Sequence, residues 1–115
     1  MTMVDNDVMQ RLEMTGSEYR VLWAIASHVP KSGGSTAYVQ VSELAEELGI
    51  QQSFVSRILR VLRDRRIITT VRTGQHKINP WIMWNGMMDD WVDESEGYPE
   101  PIYSRGVNAS TGEIL

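Results

Sequence analysis

The sequence predicts a small, mostly α-helical domain that carries one β-hairpin, an α+β fold. Three observations predict it: two short amphipathic helical patterns meet at Gly49, an alternating pattern turns back at Gly74, and basic residues are concentrated around both. A chain of 115 residues suffices for one hydrophobic core. We divide it into an N-terminal helix or arm (1–14), a central domain (15–86) and an acidic, partly flexible C-terminal extension (87–115).

Composition excludes several function classes. No apolar run approaches the roughly 20 residues of a membrane helix, and Asp5 and Asp7 are unlike a signal peptide, so we expect a cytoplasmic protein associated with the nucleoid. The chain has no cysteine, and His28 lies 48 positions from His76, so we expect no metal site. No nucleophile–base set, carboxylate pair or phosphate loop is recognisable. We therefore expect neither an enzyme nor a cofactor.

The first two predicted elements are helices. Between Met3 and Glu13, apolar residues recur every four positions, which predicts a weakly amphipathic helix. Thr15 and Glu18 have the spacing of a capping box, in which each side chain accepts a hydrogen bond from the backbone of the other residue. The helix that follows is predicted to reach about Val29 and to bury one face in the core.

A helix, a tight turn and a second helix are predicted next. Tyr38–Val41 alternates like a short strand, and Ser42 is the predicted N-cap of a helix over Glu43–Leu48. Gly49 follows, where a residue often needs positive φ. The second helix is predicted from about Gln52 to Arg65. Its predicted core face comprises Phe54, Val55, Ile58, Leu59, Val61 and Leu62.

The hairpin follows the second helix directly. Ile67–Val71 and His76–Pro80 are the predicted strands, and Arg72–Gln75 forms the tip with its glycine at position 74. A projecting hairpin of this kind presents its polar residues to a partner. Flanking phosphates or a narrow minor groove of DNA would attract its cations.

Positive charge is segregated on this half of the chain. Residues 51–77 hold seven of the eleven basic residues and one acid, a net charge of +6, whereas the other residues together carry −10. The predicted free face of the second helix has almost no acids, unlike an ordinary solvated helix that mixes signs. Duplex DNA responds to this local field, so the sequence predicts DNA binding despite a net charge of −4.

Candidate DNA-contacting residues follow from the helix face and the hairpin. The major groove admits an α-helix, in which arginine can bind guanine and glutamine can bind adenine with two hydrogen bonds each. The predicted base-reading residues are Gln52, Ser53, Ser56, Arg57 and Arg60. The predicted backbone or hairpin contacts are Ser42, Arg63, Arg72, Thr73, Gln75, His76 and Lys77.

The segment LAEELGIQQSFVSRILRVLRDRRII, from Leu44 to Ile68, resembles the helix-turn-helix of prokaryotic winged-helix proteins, including multiple-antibiotic-resistance-type regulators. The hairpin then corresponds to the wing. The stretch Gly74–Pro80, with Gly86 after it, is similar to the wing exit of the firmicute plasmid replication family. The resemblance covers about Thr15 to Gly86 and implies double-stranded DNA binding. Gln51 departs from it, since such turns usually have serine or threonine there.

The region after the wing changes character. Trp81, Trp84, Met88 and Trp91 recur every three or four residues beside several acids, which favours core or a homodimer interface over a platform for bases. We expect a homodimer through the N-terminal helix, the Trp81–Trp91 segment, or both. Residues after Asp93 offer little to bury, and the net charge of 78–115 is −6. This tail is expected to be solubilising, to compete with DNA for the basic face, or to bind a protein partner.

Three functions remain open from the sequence. The first is a transcriptional regulator that occludes a promoter. The second is a plasmid or phage replication or partition factor that binds origin repeats. The third is a winged-helix module for protein–protein interaction. The first two would share every DNA contact, so contact chemistry does not separate them.

Overall fold

The computed structural model describes residues 2–104. In that range the helices are α1 (Asn6–Arg11), α2 (Gly16–Ala26), α3 (Val41–Leu48), α4 (Gln52–Asp64) and α5 (Met88–Glu96). The strands are β1 (Thr2–Val4), β2 (Thr36–Tyr38), β3 (Ile68–Arg72), β4 (Gln75–Ile78) and β5 (Met83–Asn85). The predicted α+β fold with a hairpin wing is confirmed. Positions 105–115 of the predicted acidic extension lie outside the described residues.

The wing belongs to a three-stranded antiparallel sheet in the order β2-β4-β3. The register pairs Thr69 with Lys77 and Thr70 with His76, and Lys77 also faces Thr36 of β2. A separate two-stranded sheet joins β1 to β5. The wing strand β4 is therefore central and lies between two neighbours, which fixes the orientation of its side chains.

The core lies where α2, α3 and α4 meet the base of the wing. Val21, Leu22, Ile25, Leu44 and Val55 are among its fully buried side chains, and Val8 and Leu12 extend it to the N-terminal segment. Burial of this apolar area is the main stabilising contribution to the fold. Within the described range, no helix has the length and apolar character needed to cross a bilayer.

Two local signals position α2 and α4. The Thr15 hydroxyl accepts from the Glu18 amide at 3.2 Å, and the Glu18 carboxylate accepts from the Thr15 amide at 3.2 Å, so the predicted capping box is confirmed. Gly49 has φ 66° and ends α3, as predicted from the ease with which glycine adopts this conformation. Its N–H donates back to α3, and α4 begins at Gln52 three residues later.

Four details of the predicted elements are wrong. Met3 and Val4 lie in β1, because pairing with β5 provides hydrogen bonds that outweigh a weak helical pattern. The strand near Tyr38 ends there, and Gln40, instead of Ser42, is the N-cap of α3. The Glu43 carboxylate accepts a hydrogen bond from the Gln40 backbone N–H at 3.4 Å, which favours this earlier start. Val61 of α4 is 36% exposed, because it lies at the margin of the core face.

The C-terminal segment of the described chain folds back over the body. We call residues 98–103 the strap. The buried Arg65 side chain donates to the carbonyls of Glu13, Ile102 and Tyr103, the Ile102 contact measuring 3.1 Å. The amide of Ile102 also donates to the Arg65 carbonyl at 2.8 Å. The expectation that little is buried after Asp93 is therefore wrong for this segment, in which Pro101 is buried.

Candidate nucleic-acid interface

The outer face of α4 is a basic and polar surface. Burial of Val55, Ile58, Leu59 and Leu62 against the body fixes the rotation of the helix. The opposite face therefore points to solvent. All five predicted base-reading residues lie on it and are exposed: Gln52, Ser53, Ser56, Arg57 and Arg60. The last four of these line a shallow depression of about 360 Å³ together with Arg63.

Within this face, Arg57 contacts an aromatic ring. Its guanidinium lies 5.9 Å from the centre of the Phe54 ring, one turn back along the helix. A cation over a ring at this distance gains a weak electrostatic attraction while it stays solvated. The contact restrains the side chain on the surface without occupying its hydrogen-bond donors. Arg57 is exposed, and its donors are suited to anions or base acceptors.

A groove of about 360 Å³ runs between α4, the start of α3 and the wing. It brings together predicted residues from all three elements, although they are far apart in sequence. These are Ser42 of α3, Gln52, Ser56 and Arg63 of α4, and Thr73 and His76 of the wing. Gln40, Val41 and Thr70 also line it and were not predicted. The position of Thr70 opposite His76 in a hairpin would have been the sequence signal for including it.

A short hydrogen-bonded chain joins α4 to the wing at the bottom of this groove. Arg63 donates to the Thr70 hydroxyl at 3.2 Å, and that hydroxyl contacts Nδ1 of His76 at 3.2 Å. Burial lowers the pKa of His76 below 6.5, and the nearby positive charge of Arg63 lowers it further, while a backbone interaction with Val39 opposes both. Folding therefore favours the neutral imidazole beside this cation.

The wing tip presents a different set of polar residues. Arg72 and Gln75 flank the turn, and the Arg72 Nε donates to the Gln75 side chain at 2.9 Å. Gly74 has φ 79° at the turn, and a β-carbon there would lie 2.4 Å from the Gln40 amide nitrogen. Glycine thus permits both the positive φ and the close approach of Gln40. The tip is held against the start of α3.

Two predicted wing contacts differ from their expected placement. His76 was expected on the projecting surface but is only 3% exposed, because β4 alternates and His76 points inward with Ile78. The same alternation, legible in the sequence, would have identified it as an inward residue. Lys77 lies on the opposite face of the sheet from His76, where its ammonium pairs with Glu94 of α5. The groove and Lys77 are therefore on different faces of the wing.

A three-helix core, a helix-turn-helix with a basic outer face and an adjoining β-hairpin define a winged-helix DNA-binding protein. The sequence model of the MarR family matches residues 12–77, more than half of the chain. The chain belongs to the MarR family and is a winged-helix transcriptional regulator that binds DNA. Proteins of this family are DNA-binding regulators rather than enzymes, and they typically form dimers. No curated protein and no solved structure matches the chain significantly.

Proposed function

We propose that this chain is a sequence-specific regulator that reads double-stranded DNA by placing α4 in the major groove. The observation that carries the proposal is the exposed face of α4, on which Arg57, Arg60 and Arg63 outnumber the single acid Asp64. Residues near the start of a recognition helix usually reach base edges, and those near its end meet phosphate. We assign base reading to Gln52, Ser53, Ser56, Arg57 and Arg60, with Arg60 within reach of either target.

The groove beside α4 is the proposed seat for the DNA backbone. Ser42 of α3 contributes a hydroxyl to this groove, and Arg63 supplies a positive charge from the facing helix. Thr73 contributes a hydroxyl from the wing. Arg72 and Gln75 would meet flanking phosphates or the minor groove from the tip. The inward His76 acts through Thr70 and Arg63 rather than by direct contact.

The test of base reading is Arg57→Ala. Specific binding should weaken by about 1 to 3 kcal/mol, while binding to random duplex should change little, because a base contact is lost and a phosphate contact is not. Arg11→Ala on α1 removes the same charge and is the matched control. Fluorescence anisotropy on a selected site and on random duplex measures both. Equal losses on the two duplexes would refute the base-reading role.

Selection of bound sequences from a random duplex pool identifies the biological setting. A promoter regulator of bacterial, plasmid or phage origin should select a palindrome that occurs singly before a gene. The second candidate, a replication or partition factor, should select a sequence repeated near an origin. It is supported by the resemblance at Gly74–Pro80, most of which lies within the family match. Failure to enrich any sequence would instead support a protein-interaction module.

We also propose a homodimer formed through β1 and α5. Val4, Met87, Met88 and Val92 are exposed apolar side chains, with Met87 70% exposed. Val4 and Met88 line a groove of about 420 Å³ together with Met3, Trp81 and Trp91, among others. Methionine and tryptophan are enriched at protein interfaces, and a two-fold dimer would place two α4 helices in successive major grooves roughly 34 Å apart.

Size-exclusion chromatography with light scattering tests this dimer. Met88→Glu should convert it to a monomer at micromolar concentration, because a charge would be buried without a partner. Trp23→Gln changes an exposed apolar residue on α2 and should leave the dimer intact. A wild-type protein that is monomeric both free and bound to DNA would exclude the proposal.

A further inference from the structure

Part of the outer face of the wing sheet lies against the acidic helix α5 and the strap. Alternation along β4 places His76 and Ile78 toward the body, so Lys77 points to the other face. Lys77 lies in the central strand, between Thr36 and Thr69. Its side chain is only 21% exposed, which is low for a lysine on a DNA-binding wing. Other groups on this face therefore enclose the Lys77 side chain.

The enclosing groups are Glu94 and Tyr98. The Lys77 ammonium donates to the Glu94 carboxylate, and its nitrogen lies 5.2 Å from the centre of the Tyr98 ring. The Tyr98 hydroxyl shares a hydrogen bond of 2.8 Å with the Thr69 hydroxyl, directly beside Lys77 in the sheet. The cation is therefore held by a carboxylate and by an aromatic face at once.

The helix and strap that supply these groups are fixed independently of Lys77. Trp91 of α5 donates its indole N–H to the Pro80 carbonyl at 2.7 Å. Trp81 donates likewise to the Tyr98 carbonyl at 2.8 Å. The Asn79 side chain donates to the Pro99 carbonyl at 2.9 Å. The Glu94 carboxylate is thus held beside the wing by contacts that do not involve Lys77.

We propose that α5 is an intramolecular acidic clamp, in which Glu94 competes with DNA phosphate for the ammonium of Lys77. The clamp rests on the proposed function, because it regulates the same wing that would meet DNA. Phosphate and carboxylate both seek this cation, and Asp93 and Glu96 add negative charge on the same helix. A partly exposed ion pair is weak enough to be exchanged for phosphate. In the free protein, Lys77 is withheld from DNA.

The test is a salt series of duplex binding with Glu94→Gln, Lys77→Gln and the double variant. Glu94→Gln should tighten binding to random duplex about two- to fivefold at low salt, because one more cation becomes available. It should also steepen the slope of log affinity against log salt by roughly 0.9, the value of one phosphate contact. Lys77→Gln alone should change binding little, yet in the Glu94→Gln background it should abolish the gain. Glu96→Gln removes the same charge from α5 and is the control.

Three results would overturn the clamp. In the first, Glu94→Gln changes binding no more than Glu96→Gln does. In the second, Lys77→Gln weakens the wild type as much as it weakens Glu94→Gln. In the third, none of the variants binds duplex, which refutes the proposed function as well. If Arg57→Ala weakens specific binding as expected but Glu94→Gln has no effect, the clamp is refuted and the proposed function is not. Thermal unfolding of each variant confirms that the comparison is between folded proteins.

Discussion

Arg57 and Arg65 lie eight positions apart in the same basic stretch, yet they occupy opposite environments. Arg57 is exposed on the outer face of α4. Arg65 is 3% exposed and donates to three backbone carbonyls from distant parts of the chain. Identical side chains therefore have different roles: Arg57 is available to an anion, and Arg65 is structural. The net charge of a segment overstates the charge that DNA can meet.

The end of α4 explains the difference. Arg65 follows the last helical turn, so its side chain leaves the helix surface and enters the space between the N-terminal segment and the strap. Backbone carbonyls there need donors, because they belong to no helix or sheet ladder. A guanidinium offers five N–H donors in one plane and can satisfy several at once. Arg65 thereby joins the two ends of the described chain.

The largest expected effect comes from Arg65→Ala. The free energy of unfolding should fall by about 3 to 5 kcal/mol, because three part-buried carbonyls lose the Arg65 donors and the strap loses its anchor. Arg60→Ala removes the same group from the exposed face and should change it by less than about 0.5 kcal/mol. Urea denaturation followed by tryptophan fluorescence measures both. Equal values for the two variants would remove the contrast between exposed and buried arginines.

A smaller loss in the free energy of unfolding is expected from Asn79→Ala, which removes the second side chain that anchors the strap. The Asn79 side chain is fully buried and donates to the carbonyls of Arg66 and Pro99 at 2.9 Å, while it accepts from the Trp81 amide at 2.9 Å. Unpairing these groups should lower the free energy of unfolding by about 1 to 3 kcal/mol.

Asn6→Ala, on the exposed side of α1, is the comparison for Asn79→Ala. Chemical denaturation of the two variants should separate them clearly. A loss no greater than that of Asn6→Ala would show that the strap is held without Asn79. It would also weaken the view that the support of α5 is ordered independently of Lys77.

Local signals in the sequence predicted the parts of the fold that depend on neighbouring residues. The capping box at Thr15, the turn at Gly49 and the wing tip at Gly74 each follow from conformational preferences within a few positions. The exposed face of α4 was predicted from the helical period of its apolar residues. Sequence reasoning missed β1 and the strap, because both depend on partners distant in sequence. The pairing of Lys77 with Glu94 spans 17 positions and has no local signature.

A still smaller effect is expected at the turn that orients α4. Gly49 has φ 66°, and a β-carbon there would meet open space, so Gly49→Ala has a conformational cost alone. The free energy of unfolding should fall by about 1 kcal/mol. Gly97, at φ −96° and also in open space, is the matched control, since Gly97→Ala should be neutral or slightly stabilising. Equal destabilisation by both substitutions would contradict the conformational explanation.

The finest expected effect concerns His76 and separates Arg63 from the other exposed arginines. Burial and the charge of Arg63 hold the pKa of His76 below 6.5, so folding favours the neutral imidazole. Its contribution to stability is therefore present above the unfolded-state pKa and is lost as pH falls through the lower folded-state value. Arg63→Gln should raise the pKa of His76 part of the way back, since burial remains.

Titration of the His76 ring protons by NMR measures this pKa directly, and Arg60→Gln controls for loss of one positive charge on α4. A wild-type pKa at or above 6.5 would contradict the inward placement of the ring. Equal shifts from both variants would mean that the general field of α4, rather than the chain Arg63–Thr70–His76, sets the pKa. A shift from Arg63→Gln alone would show that one exposed arginine also acts on the wing. Arg63 would then have both roles, as a DNA-facing residue and as a structural one.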